Sequence, residues 1–392
     1  MEFLAFLGWG SLILAVLGAM YAALAALLVR RFAHRPAGAP ALRPSVTLLK
    51  PLYGAEPGLV DNLLSFCRQS YDGKVQVICG AQDPADAAID AVRAVQAAAP
   101  PHLPELVVDA TRHGANLKVG NLLNMAPHAR HEVIVVADSD MRVAPDDLDR
   151  VVATLAQPGV GAVTCLYHGL DSANLWSRLA ALHIDLHFLP SVLVGVASGL
   201  ARPCFGSTIA LRAETLARIG GFESVADILA DDYALGDAVR RLGLTVELAP
   251  LVAGHACPEA SLAELLAHEL RWQRTIRAVD GFGFLGSAIT HAFPLALLGV
   301  LLTGLQPLAF LIMAGVLISR LALQLSVDHL LARKDRRCAL VPVRDLLSFA
   351  VFVASFFVGA VSWRGARFQV RADGTLSKPG GRVTGLSPQR DT

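Results

Sequence analysis

Val133-Ile134-Val135-Val136-Ala137-Asp138-Ser139-Asp140 is the stretch that decides the fold. Its first five residues are a short, uninterrupted apolar run, mostly β-branched, which reads as a strand buried on both faces. Two aspartates stand at its carboxyl end. Working outward, Val46–Lys50 (VTLLK), Val75–Ala81 (VQVICGA) and Gly161–Cys165 (GAVTC) repeat the strand pattern. Leu59–Arg68, Ala85–Ala98 and Pro145–Leu155 read as helices between them. Strands alternating with helices predict an α/β domain with a mainly parallel sheet covered on both faces. Ligands of such sheets bind beyond the carboxyl ends of the strands, which is where the aspartates stand.

The flanks of this domain need a solvent other than water. Of 392 residues, 54% are hydrophobic and only 17% charged, and the mean hydropathy is +0.50. Phe3–Val29 is uncharged and long enough to span a bilayer, which takes about 20 apolar residues. It is too long for a typical signal-peptide core and follows Glu2 rather than a basic residue, so it reads as an uncleaved anchor. Arg30, Arg31 and Arg35 follow it and place the next domain on the cytoplasmic side by the positive-inside bias. Gly281–Ser319 carries no charge unless His291 is protonated, and Gly304, Gln306 and Pro307 divide it into a helical hairpin. After the basic loop of Arg333, Lys334, Arg336 and Arg337, Leu346–Trp363 is one more apolar run just long enough to cross. The expected organisation is an anchor at 1–31, a cytoplasmic domain at 44–280, a membrane region of two to three spans or re-entrant segments at 281–363, and a polar tail at 364–392. Three C-terminal crossings would place that tail outside, whereas Arg364, Arg367, Arg371, Lys378, Arg382 and Arg390 favour inside. With a formal net charge of +1, nothing points to a bulk polyanion such as nucleic acid as partner. Cys67, Cys79, Cys165, Cys204, Cys257 and Cys338 have neither metal-ligand spacing nor the look of a disulfide framework.

Four motifs carry chemistry. Asp138 and Asp140, two residues apart at a strand end, can share Mg2+ or Mn2+ with a nucleotide diphosphate, because hard cations prefer oxygen ligands. The same residues also suit a turn. Asp83 and Asp86 follow the strand Val75–Ala81, where an aspartate can accept a hydrogen bond from uracil or ribose. Asp83 reads equally well as the cap of a helix starting at Pro84. Asp231 and Asp232 precede a helix expected over Ala234–Leu242. Adjacent carboxylates repel, which raises one pKa and suits it to take a proton from a hydroxyl; a helix cap is the alternative. His268-Glu269-Leu270-Arg271-Trp272, followed by Arg274 and Arg277, puts guanidinium groups that can clamp a phosphate beside an interfacial Trp; a solvated helix face is the alternative.

In this order the motifs resemble glycosyltransferase families 2 and 21, which include the ceramide glucosyltransferases. The resemblance covers roughly Val46 to Arg277, with the terminal apolar segments matching as well. It implies a GT-A fold, Rossmann-like, with an N-terminal transmembrane helix and C-terminal transmembrane helices. The family's D, D, D, (Q/R)xxRW pattern falls on Asp86, Asp138, Asp232 and the pair Arg271-Trp272, and His268 stands where Gln or Arg is usual. Leu48-Leu49-Lys50-Pro51-Leu52 and His113–Val119 resemble the segments beside the nucleotide, which implies Lys50 and Lys118 as further nucleotide-sugar contacts with Asp86 and Asp138. The expected roles are Asp232 as general base, Asp138 and Asp140 as metal ligands, and Asp231, His268, Arg271 and Trp272 as support for the diphosphate or the acceptor. Thr164-Cys165-Leu166-Tyr167, Gly199–Thr208 and His268–Arg277 resemble a bacterial branch associated with hopanoid lipids. That likeness implies an inner-membrane hexosyltransferase moving N-acetylglucosamine from UDP-GlcNAc to a bacteriohopane polyol. The alternatives are glucose transfer to ceramide, a processive polysaccharide synthase and a transporter. The spans are few and, as read from the sequence, free of the internal charges a coupled carrier needs.

Leu175–Leu200 is unusually apolar for a soluble domain. It reads either as a bilayer-surface segment forming the lipid acceptor entrance or as a buried core helix followed by a loop. His183 and His187, four apart, could share a metal on a helix, but no third ligand accompanies them and they read as ordinary interfacial histidines.

Overall fold

The computed structural model describes residues 2–36, 38, 40, 42–172, 174–335 and 337–357, together with the backbone of 361–363, 366–370 and 376–377. The side chains of the basic tail, from Arg364 to Arg390, lie outside the described residues, as does Arg336.

The domain begins with the alternation expected from the sequence: β1 (Val46–Pro51), α2 (Leu59–Cys67), β2 (Val75–Ala81), α3 (Ala88–Ala97), β3 (Pro104–Val108), α4 (Leu117–Met125) and β4 (Val133–Ala137), all after the N-terminal helix α1 (Glu2–Ala33). It continues through β5 (Met141–Arg142), α5 (Asp147–Leu155) and β6 (Val160–Asp171). Next come α6 (Leu175–His183), a π-turn at Ile184–Phe188, α7 (Leu189–Ala197), β7 (Thr208–Arg212), α8 (Ala213–Arg218), α9 (Asp231–Arg241) and β8 (Thr245–Cys257). The strands form one eight-stranded sheet in the order β3-β2-β1-β4-β7-β6-β8-β5. β3, β2, β1 and β4 are parallel neighbours, β7 runs antiparallel between β4 and β6, and β6 pairs parallel with β8.

β4 is buried on both faces, as its composition requires. Val133, Val135 and Ala137 join the core under α2, α3 and α5. Ile134 and Val136 join the opposite core with Val119, Leu122 and Met125 of α4 and Leu235 and Val239 of α9. α3 starts at Ala88 rather than at Pro84 or Ala85, because Asp83 and Asp86 close turns before it by accepting from Ala85 N and Ala88 N. α9 starts at Asp231 and so takes both aspartates into its first turn, where the helix dipole favours negative charge.

The apolar helices of the two ends of the chain pack as one bundle. α10 (Leu262–Val279) and α11 (Gly281–Gly286) lead through a 3-10 turn at Ser287–Thr290 into α12 (Ala292–Leu302), with a bend of 64° at His291. The hairpin expected at Gly304 is present. Its turn uses left-handed Gly304 (φ 72) and Leu305 (φ 64) and returns as α13 (Pro307–Leu330). α1 packs on both α12 and α13 through small residues, which let backbones approach closely. A Cβ at Gly18 would meet Ile289 O at 2.3 Å, and one at Gly299 would meet Leu12 Cγ at 2.5 Å. Ser11 Oγ donates to Leu295 O across this contact (2.7 Å).

Several expectations are corrected or decided. The last apolar run does not begin at Leu346. α14 spans Val341–Ala354, 14 residues, which at 1.5 Å per residue is about 21 Å against a hydrocarbon core of about 30 Å. Secondly, the helices are not free of internal charge. Arg320 of α13 pairs with Asp345 of α14 (Nε–Oδ2 2.8 Å), and Arg344 grips Glu269 of α10 with two bonds of 2.7 and 2.8 Å. Both arginines are at most 1% exposed. Thirdly, Leu175–Ala197 is long and apolar enough to cross a membrane, yet two thirds of it is covered by the rest of the chain. Both of its ends return to the same sheet, so it does not cross. The core-helix reading holds for most of it; Leu175 at its start is 48% exposed, and exposure is continuous from Val196 to Leu200, which is 84% exposed. His183 and His187 are not interfacial either: they turn inward, to Ser348 Oγ (3.3 Å) and to Asp345 Oδ1 (3.1 Å).

Candidate active site

The turn Asp138-Ser139-Asp140 leaves β4 at the carboxyl edge of the parallel strands and is held from below. Lys50 Nζ, at the end of neighbouring β1, donates to Asp138 O. Asn62 of α2 donates to Ser139 O (3.3 Å), and Ala256 N, next to the end of β8, donates to Asp140 O (2.8 Å). Lys50 is 0% exposed and lies over the Phe66 ring, 3.8 Å from its centre. This corrects its expected role as a nucleotide contact, because a side chain sealed beneath the turn does not reach a ligand above it. Burial pulls its ammonium down to about 8, and Asp140 and Asp138 work against that pull.

Lys118 lies on the open side. The Asn116 side chain caps α4 by accepting from Lys118 N and Val119 N. Lys118 Nζ then reaches Asp138 Oδ1 at 2.6 Å and Asp231 Oδ2 at 3.8 Å. Burial disfavours its charge, but Asp138, Asp231 and Asp232 together hold it protonated far above the ordinary lysine range. The Asn116 amide also donates to Asp231 Oδ1 (3.2 Å), which ties the start of α4 to that of α9.

Gly206 marks where the groups converge. A Cβ there would lie 2.7 Å from Lys118 Nζ and 3.4 Å from both Asp138 Oδ2 and Asp232 Oδ2. Only glycine leaves that space open. Its N–H donates to Asp232 Oδ2 (2.7 Å), and Tyr233 N donates to Asp232 Oδ1 (2.7 Å). Burial and the adjacent Asp231 push the Asp232 carboxyl up to about 6, against Lys118 and these two N–H groups.

Asp140 faces the other way. Its Oδ2 meets His255 Nε2 at 3.2 Å, while its Oδ1 is buried without a protein partner. Burial would raise this carboxyl, but the charge and hydrogen bond of His255, with Lys50, hold it below the usual range. Burial likewise works against charge on His255, and Asp140 outweighs it and raises the imidazole. Asp138 moves up, through burial and the proximity of Asp140, against Lys118. Among the described residues no group of three or more His, Cys, Asp or Glu side chains is gathered around a metal position. The protein thus offers two hard carboxylates, one with an unpartnered buried oxygen. That donor set fits a divalent cation that takes its remaining ligands from a diphosphate.

α10 approaches from the side of His255. The His268 and Trp272 rings are 4.4 Å apart, Trp272 lies 5.7 Å from the His255 ring, and Arg271 sits between the two on the same helix. His268 Nδ1 is bound to the carboxylate of buried Glu259 (2.6 Å). Asp86 is set apart from this cluster. At the exit of β2 it holds Gly54 N, in the loop after β1, at 2.8 Å, so it shapes the same sheet edge without touching the other carboxylates.

The family model for glycosyl transferase family 21 matches residues 10–376. The chain belongs to glycosyltransferase family 21. Its relatives include ceramide glucosyltransferase 1 of Caenorhabditis elegans, 24% identical over 216 residues, or 55% of this chain and 46% of that one. Ceramide glucosyltransferase 3 of the same organism is 21% identical over 352 residues, or 86% and 75%. The first match thus spans about half of the relative's length. A mannosyltransferase from Pyrobaculum calidifontis, solved with GDP-Man and Mn2+, superposes with a TM-score of 0.55 at 22% identity, covering 90% of this chain and 99% of that one. This likeness bears on the fold, which is GT-A, with apolar helices long enough to cross a membrane. By class the family-21 chain is a hexosyltransferase.

Sequence reasoning missed several residues of the family-21 site. Asn116 and Gly206 lie inside His113–Val119 and Gly199–Thr208 without a role of their own there, and His255 and Glu259 stand in no short motif. His255 reaches Asp140 only because β8 pairs with β5 in the register Met141↔His255. The glycine in the Phe205-Gly206-Ser207 stretch was the one available signal, since a glycine before a strand often marks close approach.

Proposed function

We propose that this chain transfers N-acetylglucosamine from UDP-GlcNAc to a hydroxyl of a bacteriohopane polyol, with inversion, at the cytoplasmic face of a bacterial inner membrane. The observation that carries the transfer chemistry is the convergence of Asp138, Lys118 and Asp232 around Gly206, in a chain whose other helices are long enough to span a bilayer. Asp138 and Asp140 would hold Mg2+ or Mn2+, which when bound neutralises charge on the departing diphosphate. Lys118 adds a fixed positive charge on the same side, and Asp86 shapes the loop beside the nucleotide. Asp232 accepts the proton of the acceptor hydroxyl as that oxygen attacks the anomeric carbon. The bond from that carbon to the diphosphate oxygen breaks, and UDP leaves with the electron pair. Attack from the face opposite UDP turns an α-linked donor into a β-product. His268, Arg271 and Trp272 support the diphosphate or the acceptor, with Asp231 holding Lys118 and Asn116 in register.

The proposed organisation is an anchor at 1–31, a catalytic domain at 44–280 and a membrane region at 281–363. Arg30, Arg31 and Arg35 after α1 support the cytoplasmic orientation. A second reading, glucose transfer from UDP-glucose to ceramide, is favoured by the two ceramide glucosyltransferases among the relatives. Mass spectrometry of lipids made by membranes containing the chain, supplied with either donor and either acceptor, separates the readings. A hexosamine adduct on the polyol supports the first, a hexosylceramide supports the second, and no adduct on any lipid overturns both.

A further inference from the structure

A file of rings runs along one side of the carboxylate cluster. Phe205 is the residue before Gly206. Its ring meets Phe188 edge-on at 5.0 Å, and Phe188 stacks on Tyr167 at 4.2 Å with 26° between the planes. Tyr167 in turn stacks on His255 at 5.3 Å and 27°, and His255 is the partner of Asp140. The file therefore links the backbone that holds Asp232 to the side chain that holds Asp140, with Tyr167 in its middle.

Three features set Tyr167 apart from a packing residue. It is fixed on both faces, so its ring has one orientation. It is half-buried, and among the described residues no protein group hydrogen-bonds its hydroxyl, which is left accessible to a ligand. It also stands within the field of all the reacting carboxylates. Burial, then Asp232, Asp140 and Asp138, push its phenol far above the ordinary range, so it stays protonated and can donate. Tyr167 thus sits in the ring file between His255, which holds Asp140, and Phe205, whose neighbour Gly206 holds Asp232, along the edge where a hexosyl group would pass.

We propose that Tyr167 is a sugar-contacting residue, whose hydroxyl donates a hydrogen bond to a hydroxyl or ring substituent of the hexosyl group being transferred. This rests on the reading of the site as a UDP-sugar site and names a contact within it. The group acts by orientation; no proton leaves it and no bond to it forms.

The test is Tyr167→Phe in the full chain, which keeps the ring file and removes one oxygen. Affinities for UDP and for UDP-sugar are measured by calorimetry beside steady-state kinetics. Loss of one neutral hydrogen bond is expected to lower kcat/KM for the UDP-sugar about 3- to 10-fold. Affinity for UDP alone, which lacks the sugar, is expected to stay within about twofold of wild type. If kcat/KM is unchanged, or if UDP and UDP-sugar weaken in parallel, the contact with the sugar is overturned. A wild-type chain that binds neither UDP nor UDP-sugar overturns the site reading itself and the inference with it.

Discussion

At the residue scale, the site turns on what surrounds each carboxylate. Asp138 has a lysine on its open side, Asp140 an imidazole, and Asp232 two backbone N–H groups and a negative neighbour. These settings push their proton affinities apart, as acid–base chemistry requires. Only Asp232 is left with a carboxyl at about 6 and no cation in direct contact. Asp232→Asn is expected to lower turnover by about 10²–10⁴-fold while UDP-sugar affinity, read by calorimetry, is retained; near-normal turnover would remove Asp232 from the role of base. The pH dependence follows with a definite sign. As the proposed base, Asp232 works only when charged, and its charged fraction falls as pH drops through about 6. A kcat profile from about pH 5 to about pH 8 should therefore rise with pH, by up to about tenfold per unit on the acid side, and then level off. A rate that increases toward acid would contradict the assignment. Lys50 shows where sequence reading falls short at this scale. A lysine after an apolar strand reads as exposed and ligand-facing, and nothing local says that Phe66 and Asp138 O will enclose it.

At the element scale, α10 joins the catalytic and membrane parts. Its one face carries His268 and Trp272 toward His255, and its buried Glu269 is gripped by Arg344 of α14, which also donates to Leu179 O and Ser348 Oγ. Removing one member of a buried pair leaves an uncompensated charge and costs about 3–5 kcal/mol, whereas replacing both with apolar groups costs far less. Arg344→Met and Glu269→Met should each lower the melting temperature in detergent more than the double variant does; additive losses would show that the pair is not coupled. What was legible in the sequence follows from range. β1, β2, β4 and the aspartates after β4 are local patterns and appear where expected. β8, α14 and the charged pairs are not local. β8 is recognised by its partners, α14 begins with the charged residues that seemed to lie before the apolar run, and Leu175–Ala197 is buried by helices from the far end of the chain.

At the scale of the whole molecule, the basic loop after α13 lies against the catalytic domain. Arg333 pairs with Asp185 and donates to Gly169 O (2.8 Å), and Arg337 pairs with Asp171 (2.8 Å). On the proposed membrane organisation, that loop and the sheet share one side of the bilayer and the Gly304 turn lies on the other. In sealed vesicles, single cysteines in a cysteine-free background at Asp90 and Lys334 should be labelled from the same side, and one at Gln306 from the opposite side. Labelling of Lys334 and Gln306 from one side would refute the hairpin. α1 meets α7 within the enzyme domain but finds most of its partners in α12 and α13, so the ribosome must finish the entire enzyme domain before they exist. At about 5–20 residues per second, the first helix waits in lipid for tens of seconds with its glycine-lined face unmatched. During biosynthesis that face is open to other helices, including those of a neighbouring nascent copy, and assembly of the bundle becomes a race between late self-pairing and early mispairing.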